Sequence, residues 1–234
     1  MWGSVLGQEN FERFAILGYA RTGSSFLASG LDSSTSTRLY KEIFAEHNRK
    51  IGNDFEKILS NIYQKQHRSI KTVGFKLFYY HLTEDEWKKF LRYEDVKIIH
   101  ITRRNILRTI VSLDIAFKTN KWHTSFFTLR TADKKVSLNA ERLVQRIEEI
   151  LEYEEVTHNR FKDRDIVEIV YENLIDNPKS EFERVRKFLN INSIDPEKIT
   201  LRKQNPEKLS ELIENYEEVS QALAGTKYAH FLID

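Results

Sequence analysis

The chain has 234 residues with 40% hydrophobic and 12% aromatic content, enough apolar material for one well-buried α/β domain over residues 1–234. Lysine plus arginine number 37 against 35 aspartate plus glutamate, so the net charge of +2 excludes a general nucleic-acid binder and makes any basic site local. There is no cysteine, no apolar run long enough to span a bilayer and no signal-peptide pattern, and a cytoplasmic protein is expected.

The first predicted strand is the apolar run at residues 14–17. Phe26, Leu27, Ala28 and Leu31 follow it with helical spacing, so the intervening loop joins a strand to a helix. Gly18, Gly23, Ser24 and Ser25 lie where a G-x-x-x-x-G-K-[ST] loop places its glycines, lysine and hydroxyl, but Ser24 stands in the lysine position and the cation comes earlier, as Arg21. Backbone N–H groups converging at a helix start, with the helix dipole behind them, favour an anion. In NTP enzymes the loop lysine bridges the β- and γ-phosphates and the next hydroxyl holds magnesium. Serine in the lysine position does neither.

A helix is predicted over residues 55–64 and a second buried strand over 72–77, with Lys76 as a charge amid apolar residues and His81 shortly after. The third strand, 96–101, leads into Arg103 and Arg104, where a magnesium-dependent NTP enzyme commonly places an aspartate. His100 lies within this strand as a core residue. A helix follows over 106–117. Ser112 comes eight residues after Arg104, about two turns on and displaced by about 80°, so the two can face one anion if the chain bends at Arg104. Read without that anion, Arg103 and Arg104 are strand-end surface charges and Ser112 a helix-face hydroxyl.

Residues 119–137 are polar and aromatic together, including Lys121, Trp122 and His123, and form a candidate lid or acceptor-side loop. Helices are predicted over 140–161, 180–189 and 206–223, with a fourth strand over 166–170. The acidic run at 148–155 reads as a solvated helix face. Strands alternating with helices predict a parallel sheet covered on both faces.

Four blocks, GYARTGSSFL, KEIF, VGFKLFYYHL and HITRRNILRTIVSLDIAFKTNKWH, followed by IVYENLIDNP and LRKQNPEKLSELIENYEEV, together carry a family resemblance over nearly the whole chain. The chain resembles the sulfotransferases that use 3′-phosphoadenosine 5′-phosphosulfate, in particular the bacterial carbohydrate branch with trehalose 2-sulfotransferase and nodulation-factor sulfotransferases. The resemblance implies a P-loop NTPase-like three-layer α/β fold, that donor as co-substrate, no metal, and a hydroxyl acceptor on a small molecule, glycan or glycolipid. It implies that Arg21, Thr22, Gly23, Ser24 and Ser25 hold the 5′-phosphosulfate, that Arg104 and Ser112 hold the 3′-phosphate, and that Lys203 belongs to a basic segment above it. Glu42 is the implied general base and His81 the rival, with Lys76 reaching a buried anion at the sheet's edge. Two other readings stay open: a metal-dependent small-molecule kinase with a degenerate loop, and a non-catalytic nucleotide-binding protein of the same fold. A homodimer is also left open.

Overall fold

Alternate residues of a strand point to opposite faces, so a sheet covered on both sides needs apolar residues at consecutive positions. The strand β1 (Glu12–Gly18) meets that need: Phe14 and Ile16 pack into one core, Ala15 and Leu17 into another, and all four are buried. The computed structural model describes residues 7–49, 54–122, 130–201 and 203–233. Around β1 stand β2 (Thr37–Tyr40), β3 (Thr72–Phe78), β4 (Val96–Thr102) and β5 (Ile166–Val170), in the order β2-β3-β1-β4-β5. Every neighbouring pair is parallel.

The helices are α1 (Ser24–Asp32), α2 (Phe55–Ile62), α3 (Glu84–Phe90), α4 (Ile106–Thr119) and α5 (Thr131–Lys134), then α6 (Leu143–Phe161), α7 (Tyr171–Asp176), α8 (Pro178–Phe188), α9 (Leu209–Leu212) and α10 (Tyr216–Ala224). One sheet face is covered by α2 and α3, through Phe55, Leu59, Trp87 and Phe90; the other by α1 and α8, through Leu27, Leu31, Phe182 and Val185. A third cluster joins α4 and α6 to α9 and α10. The result is the three-layer α/β arrangement of P-loop NTPase-like folds.

Among the features that differ from the sequence reading are α5, which lies inside the stretch expected as a loop, and α7, which was not expected, together with three more. The edge strand β2 is four residues long and only half-buried, so it carries no apolar signature. The helix α3 is short, but its capping box was written in the chain: the Thr83 hydroxyl accepts from the Glu86 N–H and the Glu86 carboxylate from the Thr83 N–H. The helix expected over 206–223 is broken in two. Val136 donates to the Leu212 carbonyl and accepts from the Glu214 N–H, and the Asn215 side chain bonds both backbone groups of Leu138. Those backbone groups of 212–214 are thereby taken from a continuous helix.

The architecture also fixes where a ligand can sit. Chain connections diverge on either side of β1, and the carboxyl ends of β1, β3 and β4 lie side by side, Gly18 being paired with Phe78 and Ile101. In an open parallel sheet that crevice is the binding position.

Candidate active site

The loop leaving β1 is shaped by two residues in left-handed conformation, Arg21 at φ 71° and Gly23 at φ 90°. Gly23 is the residue that precedes α1, and a Cβ there would stand 2.3 Å from the Tyr171 ring. Glycine is therefore required twice over, by conformation and by space. The N–H groups of Phe26 and Leu27 turn back to the Gly23 carbonyl, which leaves those of Ser24 and Ser25 at the open end of the helix. Both serines line the cleft above the sheet. Thr22 does not: it is buried, and its hydroxyl donates to the Tyr19 carbonyl at 2.8 Å, so its side chain shapes the loop and is directed away from a ligand.

Beside the loop, Lys76 rises from the carboxyl half of β3 with its side chain 5% exposed. Its ammonium donates to Ser25 Oγ at 3.2 Å and to Glu42 Oε1 at 2.9 Å. Burial pulls it below the ordinary lysine value, and the Glu42 carboxylate opposes that pull. One cation thus joins the anion loop to the expected base. His81 also lines the cleft, and its Nδ1 accepts from the Phe78 N–H at 3.1 Å. A backbone N–H only donates, so in the neutral ring the proton sits on Nε2. Burial pushes His81 down to about 4. In this arrangement it is a neutral hydrogen-bond donor to the cleft.

On the other side of the loop, Ser112 of α4 lies in the cleft, where its Oγ accepts from Arg21 Nε at 3.1 Å and from Asn205 Nδ2 at 3.1 Å. Arg104 is placed differently from expectation. It is exposed, its N–H donates to Glu172, its guanidinium donates to Asn173 at 2.5 Å, and it does not line the cleft. Arg103 is the one turned inward, buried, and stacked 4.7 Å over the Tyr171 ring that covers Gly23. Arg108, one turn before Ser112, lines the same wall, and Lys203 stands at its rim.

The cleft encloses about 1230 Å³. That exceeds the roughly 300–1,000 Å³ of pockets for one drug-sized ligand, so two reactants fit. Six cationic side chains face it, Arg21, Arg49, Lys76, Arg103, Arg108 and Lys203, against the two carboxylates Glu42 and Glu46. Burial, reinforced by Arg103, lowers Arg21 to about 10, still charged at neutral pH. Trp122, 37% exposed, meets Phe117 edge to face at 5.1 Å, and both line the outer wall.

The sulfotransferase-domain family model matches residues 11–231. The chain belongs to the sulfotransferase family. A search of curated proteins finds no match. Among solved structures, a mouse sulfotransferase, SULT7A1, complexed with PAP aligns over 96% of this chain and 75% of its own, with 20% identity and a TM-score of 0.50. A sulfotransferase from Alicyclobacillus acidocaldarius aligns over 94% of this chain and 95% of its own, with 17% identity and a TM-score of 0.49.

For this sulfotransferase the cleft brings together Arg21, Gly23, Ser24, Ser25, Glu42, Lys76, His81, Ser112 and Lys203 of the residues expected from sequence, and leaves out Thr22 and Arg104. Arg103, Arg108, Tyr171 and Asn205 were missed. Arg103 was legible as half of an Arg-Arg pair; Asn205 carried no signal, because an asparagine in a polar segment has no distinguishing spacing. His123 lies outside the described residues, as do the other residues of 123–129 in the stretch expected to form a lid. His100 is buried and its Nε2 meets the Tyr79 hydroxyl at 2.6 Å, a core role. Among the described residues, no group of His, Cys, Asp and Glu is placed to hold a metal, and no helix is long and apolar enough to cross a membrane.

Proposed function

We propose that this sulfotransferase moves a sulfuryl group from 3′-phosphoadenosine 5′-phosphosulfate to a hydroxyl of a carbohydrate or glycolipid, with Glu42 as general base. The observation that carries the reading is the Lys76 ammonium, held between Ser25 of the anion loop and Glu42. A proton acceptor and an oxyanion-binding loop then share one cation, which sets them side by side as in-line transfer to a hydroxyl needs. The donor fits the residues present: a helix start that leaves the Ser24 and Ser25 N–H groups outside the hydrogen bonds of α1, and six cations around a cleft large enough for donor and acceptor. It supplies the sulfuryl group and leaves as 3′-phosphoadenosine 5′-phosphate.

The loop N–H groups, the Ser24 and Ser25 hydroxyls and Arg21 would hold the 5′ oxyanions, with guanidinium suited to a two-point contact. Ser112, with Lys203 above it, would hold the 3′-phosphate; Arg104 joins them only by exchanging Asn173 for that phosphate. Lys76 would screen the bridging oxygen while Glu42 takes the acceptor proton as the hydroxyl attacks. Neutral His81, a donor through Nε2, is suited to orienting an acceptor oxygen. Trp122 and Phe117 offer flat apolar faces of the kind that stack on a sugar ring.

The test is transfer of labelled sulfate from the donor to a panel of glycans and glycolipids, with mass identification of the product. Alongside it, calorimetry compares 3′-phosphoadenosine 5′-phosphate with ATP plus magnesium. Sulfated product and binding of the former are expected; tight binding of ATP alone would sink the reading.

A further inference from the structure

The segment that follows Lys203 is fastened across the cleft by bonds that a surface loop does not need. Lys134 of α5 is 3% exposed, and its ammonium donates to the Gln204 carbonyl at 2.8 Å and to Glu207 Oε1 at 2.7 Å. A buried ammonium is costly unless fully paired, so this pair fixes the segment in one place. Arg108 adds a second fastening from α4, donating to the carbonyls of Asn205 and Glu207 at 3.5 and 3.1 Å. Between these fixed points Asn205 points inward, and its Nδ2 donates to the Ser112 hydroxyl at 3.1 Å. Arg21 Nε donates to the same oxygen.

Two donors from distant parts of the chain thus converge on one hydroxyl oxygen inside a cationic cleft, with the Arg108 side chain on the same wall. A phosphate oxygen at this point would accept the Asn205 N–H in place of the Ser112 oxygen and accept the Ser112 hydroxyl hydrogen as well, while Arg21, bonded to the same hydroxyl, stays on the 5′ side. We propose that Asn205 is a binding residue that reads the 3′-phosphate of the donor, and that the buried Lys134–Glu207 pair is the positioning element that holds it there. The assignment rests on the donor reading above. It gives this chain a way to prefer a 3′-phosphorylated nucleotide while Arg104 is turned outward.

The experiment measures calorimetric affinity of the full chain for 3′-phosphoadenosine 5′-phosphate and for adenosine 5′-monophosphate, which lacks the 3′-phosphate. Asn205→Ala is expected to weaken the former about 10-fold and leave the latter unchanged, since a charge-assisted hydrogen bond is lost at one end of the ligand only. Asn205→Asp, which adds a like charge, is expected to remove the preference. Lys134→Met should cut the same ratio and raise the donor KM more than it lowers kcat, with Lys134→Arg restoring part of it. Asn205 is half-buried in a connecting segment, so its variants carry the test even if Lys134→Met unfolds. An unchanged ratio in the Asn205 variants, or equal weakening of both nucleotides, overturns the assignment. A wild-type chain with no preference for the 3′-phosphate overturns the donor reading, and this assignment with it.

Discussion

Lys76 and Glu42 form the pair on which the chemistry depends, and each constrains the other. A 5% exposed ammonium with two oxygen partners has little freedom, so Glu42, 26% exposed, is aimed into the cleft by an internal partner. If Glu42 takes the acceptor proton, Glu42→Gln keeps the shape and removes the proton acceptor. The expected result is a fall in kcat of ~10²-fold or more with affinity for 3′-phosphoadenosine 5′-phosphate kept within a few-fold. His81→Asn should cost much less, because the His81 Nδ1 lone pair is already engaged by Phe78. With its pKa near 4, His81 stays neutral above about pH 5 and contributes no inflection to a pH–rate profile at neutral pH. A neutral-range inflection that disappears in His81→Asn, together with full activity of Glu42→Gln, would reverse the two roles. Sequence reasoning could name this set but not orient it. Arg103 and Arg104 are adjacent, and consecutive residues leaving a strand point to opposite sides, so spacing alone does not say which one faces the cleft.

The elements show what a single substitution does to the loop. Gly23 combines φ 90° with a space already filled by the Tyr171 ring, itself held under Arg103. Gly23→Ala is expected to destabilise the fold by about 1–3 kcal/mol through left-handed strain plus the clash, and to weaken donor binding. Adding Tyr171→Ala should return only the clash component, measurable as partial recovery of Tm; full recovery would show that the conformation is not strained. The helix α6 holds a second exception to the sequence reading, because Glu154, expected on a solvated face, has Oε1 buried with no hydrogen-bond partner. Burial first, then Glu168 and Glu172, raises it from 4.5 to about 7. A raised carboxylate binds more protons folded than unfolded, so its stability is present below about pH 4.5 and is lost as pH rises towards 7. Glu154→Gln should therefore raise Tm at pH 8, by on the order of 2 kcal/mol in stability, and do little at pH 4; an equal effect at both pH values would contradict the shift. Long periodic elements such as α6 and the buried strands were legible because burial dictates their pattern. The edge strand β2 and the break between α9 and α10 were not, because each is set by partners distant in sequence: Thr72–Phe75 for β2, and Val136 and Leu138 for the break.

At the scale of the molecule, the strand order decides why the cleft is cationic while the chain is nearly neutral. The switch point beside β1 gathers residues from the carboxyl ends of β1, β3 and β4, from the segment after β2, from α4 and from the segment that begins at Lys203, and together these deliver six cations and two carboxylates to one cavity of a +2 chain. Opposite charges elsewhere sit in local pairs such as Arg146–Asp114 and Arg186–Glu183, and at the cleft itself Arg49 is paired with Glu86 and Lys76 with Glu42; such pairs cancel at a distance and leave the cations around Arg21 as the source of the field. The field that remains is directed at the cleft mouth, where low-dielectric walls concentrate it and speed the approach of an anion. Salt should therefore act on binding far more than on stability. Raising ionic strength from about 10 mM to about 1 M shortens the screening length from about 30 Å to about 3 Å. Affinity for 3′-phosphoadenosine 5′-phosphate is expected to fall more than about tenfold over that range, mainly through the association rate, while affinity for uncharged adenosine stays level and Tm changes by only a few degrees. Stopped-flow binding with both ligands measures this directly. If adenosine and the bisphosphate respond alike, the six side chains are neutralised in place, and the cleft recognises its ligand by shape instead of by charge.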